Sequence, residues 1–261
     1  TRAPAPSSPT APTPDRTPTL REFWTRYLRY AETNKRANTV RSNKAAFAQI
    51  YRFFGDAPLD AITPERIEEF KTARRSAPGR HAPRMSTSGV NRELELLKSM
   101  FNVAIRWGVV SANPMRAVPM LRESPPRTRF LTRDEIDRLL FSAPPRLAPL
   151  IKFAIYTGMR RGEIFGLKWT DVAENGASAR LSRTKSGDAR MIYFSKPARD
   201  VLEEMRDVAD GPYVFHHDGK PYQYIAKAWR RALRHAGIHD FRFHDLRHTF
   251  ASHLVMRGVD I

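Results

Sequence analysis

A histidine and an arginine lie three residues apart in the segment HDLRHTFASH, residues 244–253. On an α-helix this spacing places His244 and Arg247 on one edge, where both side chains can contact the same group. A guanidinium offers paired donors to phosphate oxygens, and an imidazole exchanges a proton near neutral pH. The pair therefore suits phosphoryl transfer, although a single His-x-x-Arg also occurs on the ordinary polar surface of a helix.

A second basic motif is TGMRRGEIFGLKW, residues 157–169. Arg160 follows a glycine turn at a predicted helix start, where free backbone N–H groups and the helix dipole favour an anion. Glu163 can pair with that guanidinium and hold it, whereas Arg161 should point elsewhere. Lys185 lies in the predicted turn of a β-hairpin, ARLSRTKSGDARMIYF, and can swing toward a substrate or simply be solvated.

The charge balance indicates a polyanionic partner. The 261 residues include 45 Lys and Arg against 27 Asp and Glu, a net charge of +18 that is spread over both halves of the chain. A generally arginine-rich genome would account for part of this excess. With no cysteine and no metal-ligand spacing among the histidines, we expect neither a metal nor a cofactor.

Helices must position most of these groups. Residues 1–18 are rich in proline and predict a disordered segment, whereas 19–115 carry apolar residues at helical spacing in four stretches. The polar faces of this helical region hold candidate phosphate contacts, each of which could also be plain solvated surface. These candidates are Arg36, Arg41, Lys44, Arg74, Arg75, Arg80, Arg84 and Arg92.

The second half mixes helices with the hairpin. Residues 116–130 contain prolines and no sustained period, which predicts a linker before a domain at 131–261. Helices are expected at 133–142, 146–157, 196–208, about 222–236 and from about 244 onward. No apolar run approaches the roughly 20 residues that cross a bilayer, and no stretch has the charged start and apolar core typical of a signal peptide, so we expect an intracellular protein.

Taken together in this order behind a basic helical domain, these motifs resemble the tyrosine recombinases of the phage integrase family, over roughly residues 19–261. The resemblance implies a mainly α fold with a small antiparallel β-hairpin or sheet: an N-terminal SAM-like core-binding domain and an α+β catalytic domain. By motif, Arg160 and Arg247 resemble the two catalytic arginines, Lys185 the general acid, and His244 the proton-transferring histidine. Glu163 resembles the acidic residue that orients the first arginine.

The resemblance further implies site-specific recombination of double-stranded DNA through a 3′-phosphotyrosyl intermediate, without a metal, by a homotetramer in the prokaryotic cytoplasm. The family's further His or Trp box and its nucleophilic tyrosine do not follow His244. We therefore expect a C-terminally truncated chain that cannot cleave DNA. A non-catalytic basic DNA-binding protein or an inactive remnant is the alternative, and a small phosphoesterase using His244 ranks last. All eight tyrosines precede His244, namely Tyr27, Tyr30, Tyr51, Tyr156, Tyr193, Tyr213, Tyr222 and Tyr224.

Overall fold

A computed structural model describes residues 16–79, 82–125, 129–181 and 189–259. These residues divide into two compact units, one ending at Pro125 and the other comprising the described residues from 129 onward. Each unit has its own buried apolar cluster. The fold is mainly helical with two small antiparallel sheets, which confirms the predicted class. Within these ranges, no helix combines the length and the apolar character that crossing a membrane requires.

The first unit contains the four predicted helices. Thr19 starts α1 through a capping box with Glu22, and Thr63 caps α3, which has Pro64 at its first position. The apolar face of α4 is buried from Val90 to Ala104. The helices are α1 (Leu20–Asn34), α2 (Ala37–Phe54), α3 (Pro64–Ser76) and α4 (Thr87–Arg106).

The start of the predicted linker packs on this first unit. Val118 is buried in its core, and the side-chain amide of Asn91 exchanges two 2.9 Å hydrogen bonds with the backbone of Leu121. Residues up to Leu121 are therefore held against α4, as a buried amide with both ends paired stabilises the segment it binds. The predicted domain bounds, 19–115 and 131–261, stay predictions.

The second unit surrounds the apolar helix α6 with further helices and two hairpins. Strands β1 (Ser178–Leu181) and β2 (Arg190–Tyr193) pair antiparallel, with Leu181 opposite Arg190. Strands β3 (His216–His217) and β4 (Lys220–Pro221) are joined through Asp218 and Gly219, both at positive φ. The helices are α5 (Arg133–Ser142), α6 (Ala148–Thr157), α7 (Arg161–Phe165), α8 (Lys196–Asp207), α9 (Ala226–His235) and α10 (Asp245–Val255).

Candidate phosphate-binding site

The turn between α6 and α7 brings α10 close to Arg160. Helix α6 ends at Gly158, whose φ of +59° is in the left-handed region that glycine adopts without a steric penalty. A Cβ atom at this position would lie 2.3 Å from Cδ1 of Phe250, on α10. Only glycine therefore allows α10 to pack against this turn at the observed distance.

Glu163 binds Arg160 through both its backbone and its side chain. The buried carboxylate accepts the backbone N–H of Arg160 at Oε2, 2.9 Å away, and the Nη1 group of the same residue at Oε1, 3.0 Å away. The expectation of a free N–H group at this helix start is wrong for Arg160, because Glu163 takes that donor. The guanidinium itself remains 38% exposed, so it can still reach a ligand.

Arg190 is a member of this site that the sequence interpretation missed. Its Nη2 group donates to Oε2 of Glu163 at 3.0 Å, so one carboxylate binds two guanidinium groups. Arg190 lies opposite the buried Leu181, and cross-strand partners share a face of the sheet. The alternation along β2, with Met191 and Tyr193 exposed, was the available signal.

Arg247 joins α10 to the same turn. Its Nη1 group donates to the carbonyl oxygen of Gly158 at 2.6 Å. Partial burial lowers the pKa of Arg247, and the positive charges of Arg160 and Arg190 lower it further, while Glu163 opposes this. Arginine stays protonated in proteins, so the site keeps this charge. We call Arg160, Arg190 and Arg247 the arginine cluster.

His244 precedes α10 and lies beside the arginine cluster. Desolvation lowers its pKa below the ordinary 6.5, and the charges of His248, Arg247 and Arg160 act in the same direction. The ring of His248 lies perpendicular to that of His244, with centroids 5.6 Å apart. Asp245 opposes these effects, but the net shift favours the neutral imidazole, the form that accepts a proton.

Helix α10 is fixed in place by the segment that enters the second unit. The hydroxyl of the fully buried Thr249 accepts the N–H of Leu131 at 3.1 Å and donates to the carbonyl of Asp245 at 3.0 Å. His253 Nε2 lies 2.9 Å from the carbonyl oxygen of Leu131, which can only accept, so this nitrogen carries the proton. These bonds hold the helix that carries Arg247.

Among the predicted phosphate contacts of the first unit, Arg41 and Lys44 lie together. They line a cavity of about 410 Å³ with Lys35, a residue that was not singled out from the sequence. Lys44 also pairs with Glu32 at 3.0 Å. The other candidates that the structure describes, Arg36, Arg84 and Arg92, are exposed, whereas Arg80 and Lys185 lie outside the described residues.

Arg74 and Arg75, two further candidate phosphate contacts, form bonds within the first unit. Arg74 donates through Nε and Nη2 to both oxygens of the buried Glu93, at 2.7 and 2.8 Å. Arg75 donates to the carbonyl oxygen of Met85. Both side chains therefore join α3 to the segment around α4, because the burial of Glu93 required a partner.

The second-unit site combines the carboxylate of Glu163 and three guanidinium groups with the imidazole of His244, which lies near Arg160 and Arg247. The described part of the chain holds no group of three or more His, Asp or Glu side chains arranged for a metal ion. The bonds to Glu163 and to the Gly158 carbonyl use only some of the donors of the arginine cluster. The arrangement can bind an anion with several oxygens and can exchange a proton next to it.

Two family models match the chain. Residues 129–261 match the model described as the phage integrase family, and residues 19–120 match that of the phage integrase SAM-like domain. The Shufflon-specific DNA recombinase of Escherichia coli is 32% identical over 209 residues, which cover 77% of this chain and 52% of that protein. The integrase of Salmonella phage P22 is 33% identical over 184 residues, covering 64% and 47%. The chain thus spans about half the length of these relatives.

Solved structures show the same fold. A lambda integrase dimer bound to a COC′ core site superimposes with a TM-score of 0.76 at 21% identity, covering 92% of this chain and 90% of that one. A lambda integrase tetramer bound to a Holliday junction gives 0.77 at 21% identity, covering 93% and 74%. With both units matched by its models, the chain belongs to the phage integrase family of tyrosine recombinases.

Proposed function

We propose that this chain provides the DNA-holding and phosphate-activating parts of a site-specific DNA recombinase. The observation that carries the proposal is the convergence of Arg160 and Arg247 on one turn. Arg160 is the N-cap residue of α7, and Arg247 reaches the same turn from α10 through its bond to Gly158. Two guanidinium groups fixed by separate elements suit the two nonbridging oxygens of a DNA phosphate.

The proposed chemistry is transfer of a phosphoryl group from DNA to a tyrosine and back. Both guanidinium groups would stabilise the charge that develops on the nonbridging oxygens. His244 would take the proton of the attacking hydroxyl, and Lys185, assigned by its motif alone, would protonate the 5′-oxygen. A bond from the tyrosine oxygen to the 3′-phosphate forms as the bond to the 5′-oxygen breaks, so rejoining requires no ATP.

We infer that the attacking tyrosine is not among residues 1–261. Tyr222 donates its hydroxyl to the carbonyl of Arg146, and burial raises the pKa of Tyr222, which disfavours an attacking phenolate. Tyr193 lies three positions after Arg190 on β2, so strand alternation directs it to the opposite face. Its 81% exposure agrees with that direction.

Double-stranded DNA is the proposed partner of both units. In the first unit, Arg41 and Lys44 line one cavity with Glu32, which pairs with Lys44, and we assign both cations to the DNA backbone. Lys35 lines the same cavity, but its ammonium donates to Tyr27 and Ser99. The lambda integrase structures contain a dimer on a core site and a tetramer on a Holliday junction. By this similarity, we propose a tetramer on paired sites for the complete recombinase.

Binding is tested with short fluorescent duplexes by anisotropy, over roughly 50 to 200 mM salt. We expect the affinity to fall steeply as salt rises, because counterions are released from the phosphates that the protein neutralises. Absence of binding at the lowest salt concentration, or an affinity independent of salt, would contradict the DNA-binding part of the proposal.

Cleavage is tested with a library of nicked duplexes of randomised sequence, on which a covalent adduct survives SDS. We expect no adduct from residues 1–261, and an adduct from a longer polypeptide in which the tyrosine-bearing C-terminal segment of a family member is fused after residue 261. Arg160→Ala and Arg247→Ala should abolish that adduct. Arg161→Ala is the matched control, because the Arg161 guanidinium lies over the ring of Phe165.

Two outcomes separate the alternatives. An adduct formed by residues 1–261 alone would contradict our inference about the nucleophile. If the longer polypeptide binds DNA but forms no adduct on any member of the library, a non-catalytic DNA-binding protein becomes the better description.

A further inference from the structure

The Arg190 side chain matches that of Arg160 in its exposure to solvent and in its guanidinium hydrogen bond to Glu163. The side chains of both arginines are 38% exposed, and each donates one guanidinium hydrogen bond of 3.0 Å to Glu163. Among the described residues Arg190 has this single hydrogen-bond partner, and its buried Nε–H has none. A guanidinium carries five N–H donors, so most of those on Arg190 remain available.

Arg190 and Arg247 line the same cavity. This cavity has a volume of about 300 Å³ and lies between the α6–α7 turn, β2 and α10. Its other walls are formed by backbone and apolar groups, including Gly158, Ile192 and Phe250. Arg190, on a strand, and Arg247, on a helix, thus line one cavity that has an apolar wall.

The charges of the arginine cluster exceed that of Glu163, the carboxylate which binds two of its members. Three guanidinium groups of the arginine cluster surround one carboxylate, that of Glu163. Arg190 and Arg160 both act unfavourably on the charged form of Arg247. Like charges held in a partly dry site cost free energy unless an anion joins them. A phosphate diester carries the missing negative charge and two acceptor oxygens.

We propose that Arg190 is a third phosphate-binding arginine, which donates to a nonbridging oxygen of the DNA phosphate that Arg247 holds. This inference rests on the proposed function. Glu163 accepts a hydrogen bond from the Nη2 group of Arg190, and the Nη1 group is the donor that we assign to the phosphate. Glu163 thereby orients two of the three arginines at once.

The test compares Arg190→Gln with Arg180→Gln in the chain as it stands, using the anisotropy assay on short duplexes. Arg180 is an exposed residue of β1 opposite Met191, so it lies on the other face of the same hairpin. Glutamine removes the charge but keeps a donor for Glu163. We expect Arg190→Gln to weaken binding several-fold and to reduce the slope of log affinity against log salt by about one. Arg180→Gln should leave the slope unchanged.

Equal salt slopes for the two variants, with wild-type binding intact, overturn the role of Arg190 and leave the proposed function standing. Loss of wild-type binding overturns both. If thermal unfolding shows that Arg190→Gln does not fold, Arg190→Lys against Arg180→Lys decides the question in folded protein. An ammonium lacks the two parallel donors of the guanidinium, so Arg190→Lys should bind several-fold more weakly. Equal affinity of the two lysine variants overturns the proposal.

Discussion

Each unit of the molecule contains a buried glutamate bound to arginine, but the two arrangements differ in what they leave open. In the first unit one guanidinium, that of Arg74, takes both oxygens of Glu93 and is only 16% exposed. In the second unit the oxygens of Glu163 are divided between Arg160 and Arg190, and both guanidinium groups remain 38% exposed.

The pKa shifts follow the same division. The hydrogen bonds to Glu93 raise the pKa of Arg74 above its usual value, as a matched pair of charges should. Desolvation and neighbouring cations lower the pKa of Arg247. The Glu93 carboxylate, whose two oxygens both bind one guanidinium, therefore joins two helices. The Glu163 carboxylate binds two guanidinium groups and leaves both able to bind an anion from outside the protein.

The largest expected effect is the loss of stability in Arg74→Ala. This substitution leaves the Glu93 carboxylate buried without its partner, which should cost about 3 to 5 kcal/mol in the free energy of unfolding. Arg160→Ala should cost less than about 1 kcal/mol, because its pair is partly exposed and Glu163 keeps Arg190. Urea denaturation followed by circular dichroism measures both variants.

DNA binding should show the reverse order. Arg160→Ala should lower the salt dependence of duplex affinity, while Arg74→Ala, measured where it remains folded, should not. Equal losses of stability in the two variants would contradict the view that the Arg74–Glu93 pair stabilises the fold while the Arg160–Glu163 pair serves ligand binding.

A smaller loss of stability is expected from a substitution in the α6–α7 turn, which positions Arg160 and Arg247. Gly158→Ala should destabilise the second unit by about 2 to 4 kcal/mol, because the added Cβ overlaps Phe250 and the left-handed backbone is strained. Gly237→Ala is the matched control. Its φ is +65° and nothing lies within 4 Å of the added atom, so only the backbone term of about 1 kcal/mol applies.

The midpoint of thermal unfolding measures both glycine variants. If Gly237→Ala and Gly158→Ala lower the unfolding midpoint equally, the packing of α10 on the α6–α7 turn does not require a glycine at position 158. If Gly158→Ala lowers stability more than Gly237→Ala does, it should also weaken duplex binding, since Arg247 donates to the carbonyl oxygen of Gly158.

Local sequence patterns predicted most of the fold. They identified part of the Glu163 site but not the buried Arg74–Glu93 pair. Capping residues and apolar spacing marked helices such as α1 and α5 correctly, because these signals act within a few residues. The Asp218-Gly219 turn was an available hairpin signal that was missed, and the helix predicted from about 222 starts at Ala226 instead. The motifs named Arg160, Glu163 and Arg247, whereas Arg190 and the buried pairing of Arg74 depend on contacts between distant segments.

The smallest effect concerns the proton on His244. Its lowered pKa in the folded protein means that the stability it contributes is present above the ordinary value of 6.5 and is lost as pH falls through the folded pKa. A bound phosphate would raise this pKa again, so binding takes up a proton. Duplex affinity should therefore increase from pH 8 to pH 6, by less than about tenfold per pH unit, while stability decreases.

Anisotropy across this pH range, beside thermal unfolding in the same buffers, measures the two opposite trends. His244→Gln should reduce both, because glutamine has no proton to gain, whereas His239→Gln, on the loop before α10, should leave both as they are. An affinity that rises equally with acid in wild type and His244→Gln would assign the proton uptake to other groups. A rise confined to the wild type would place the titrating imidazole beside the bound phosphate in the second unit. The Arg74–Glu93 pair of the first unit has no such site, because one guanidinium takes both carboxylate oxygens.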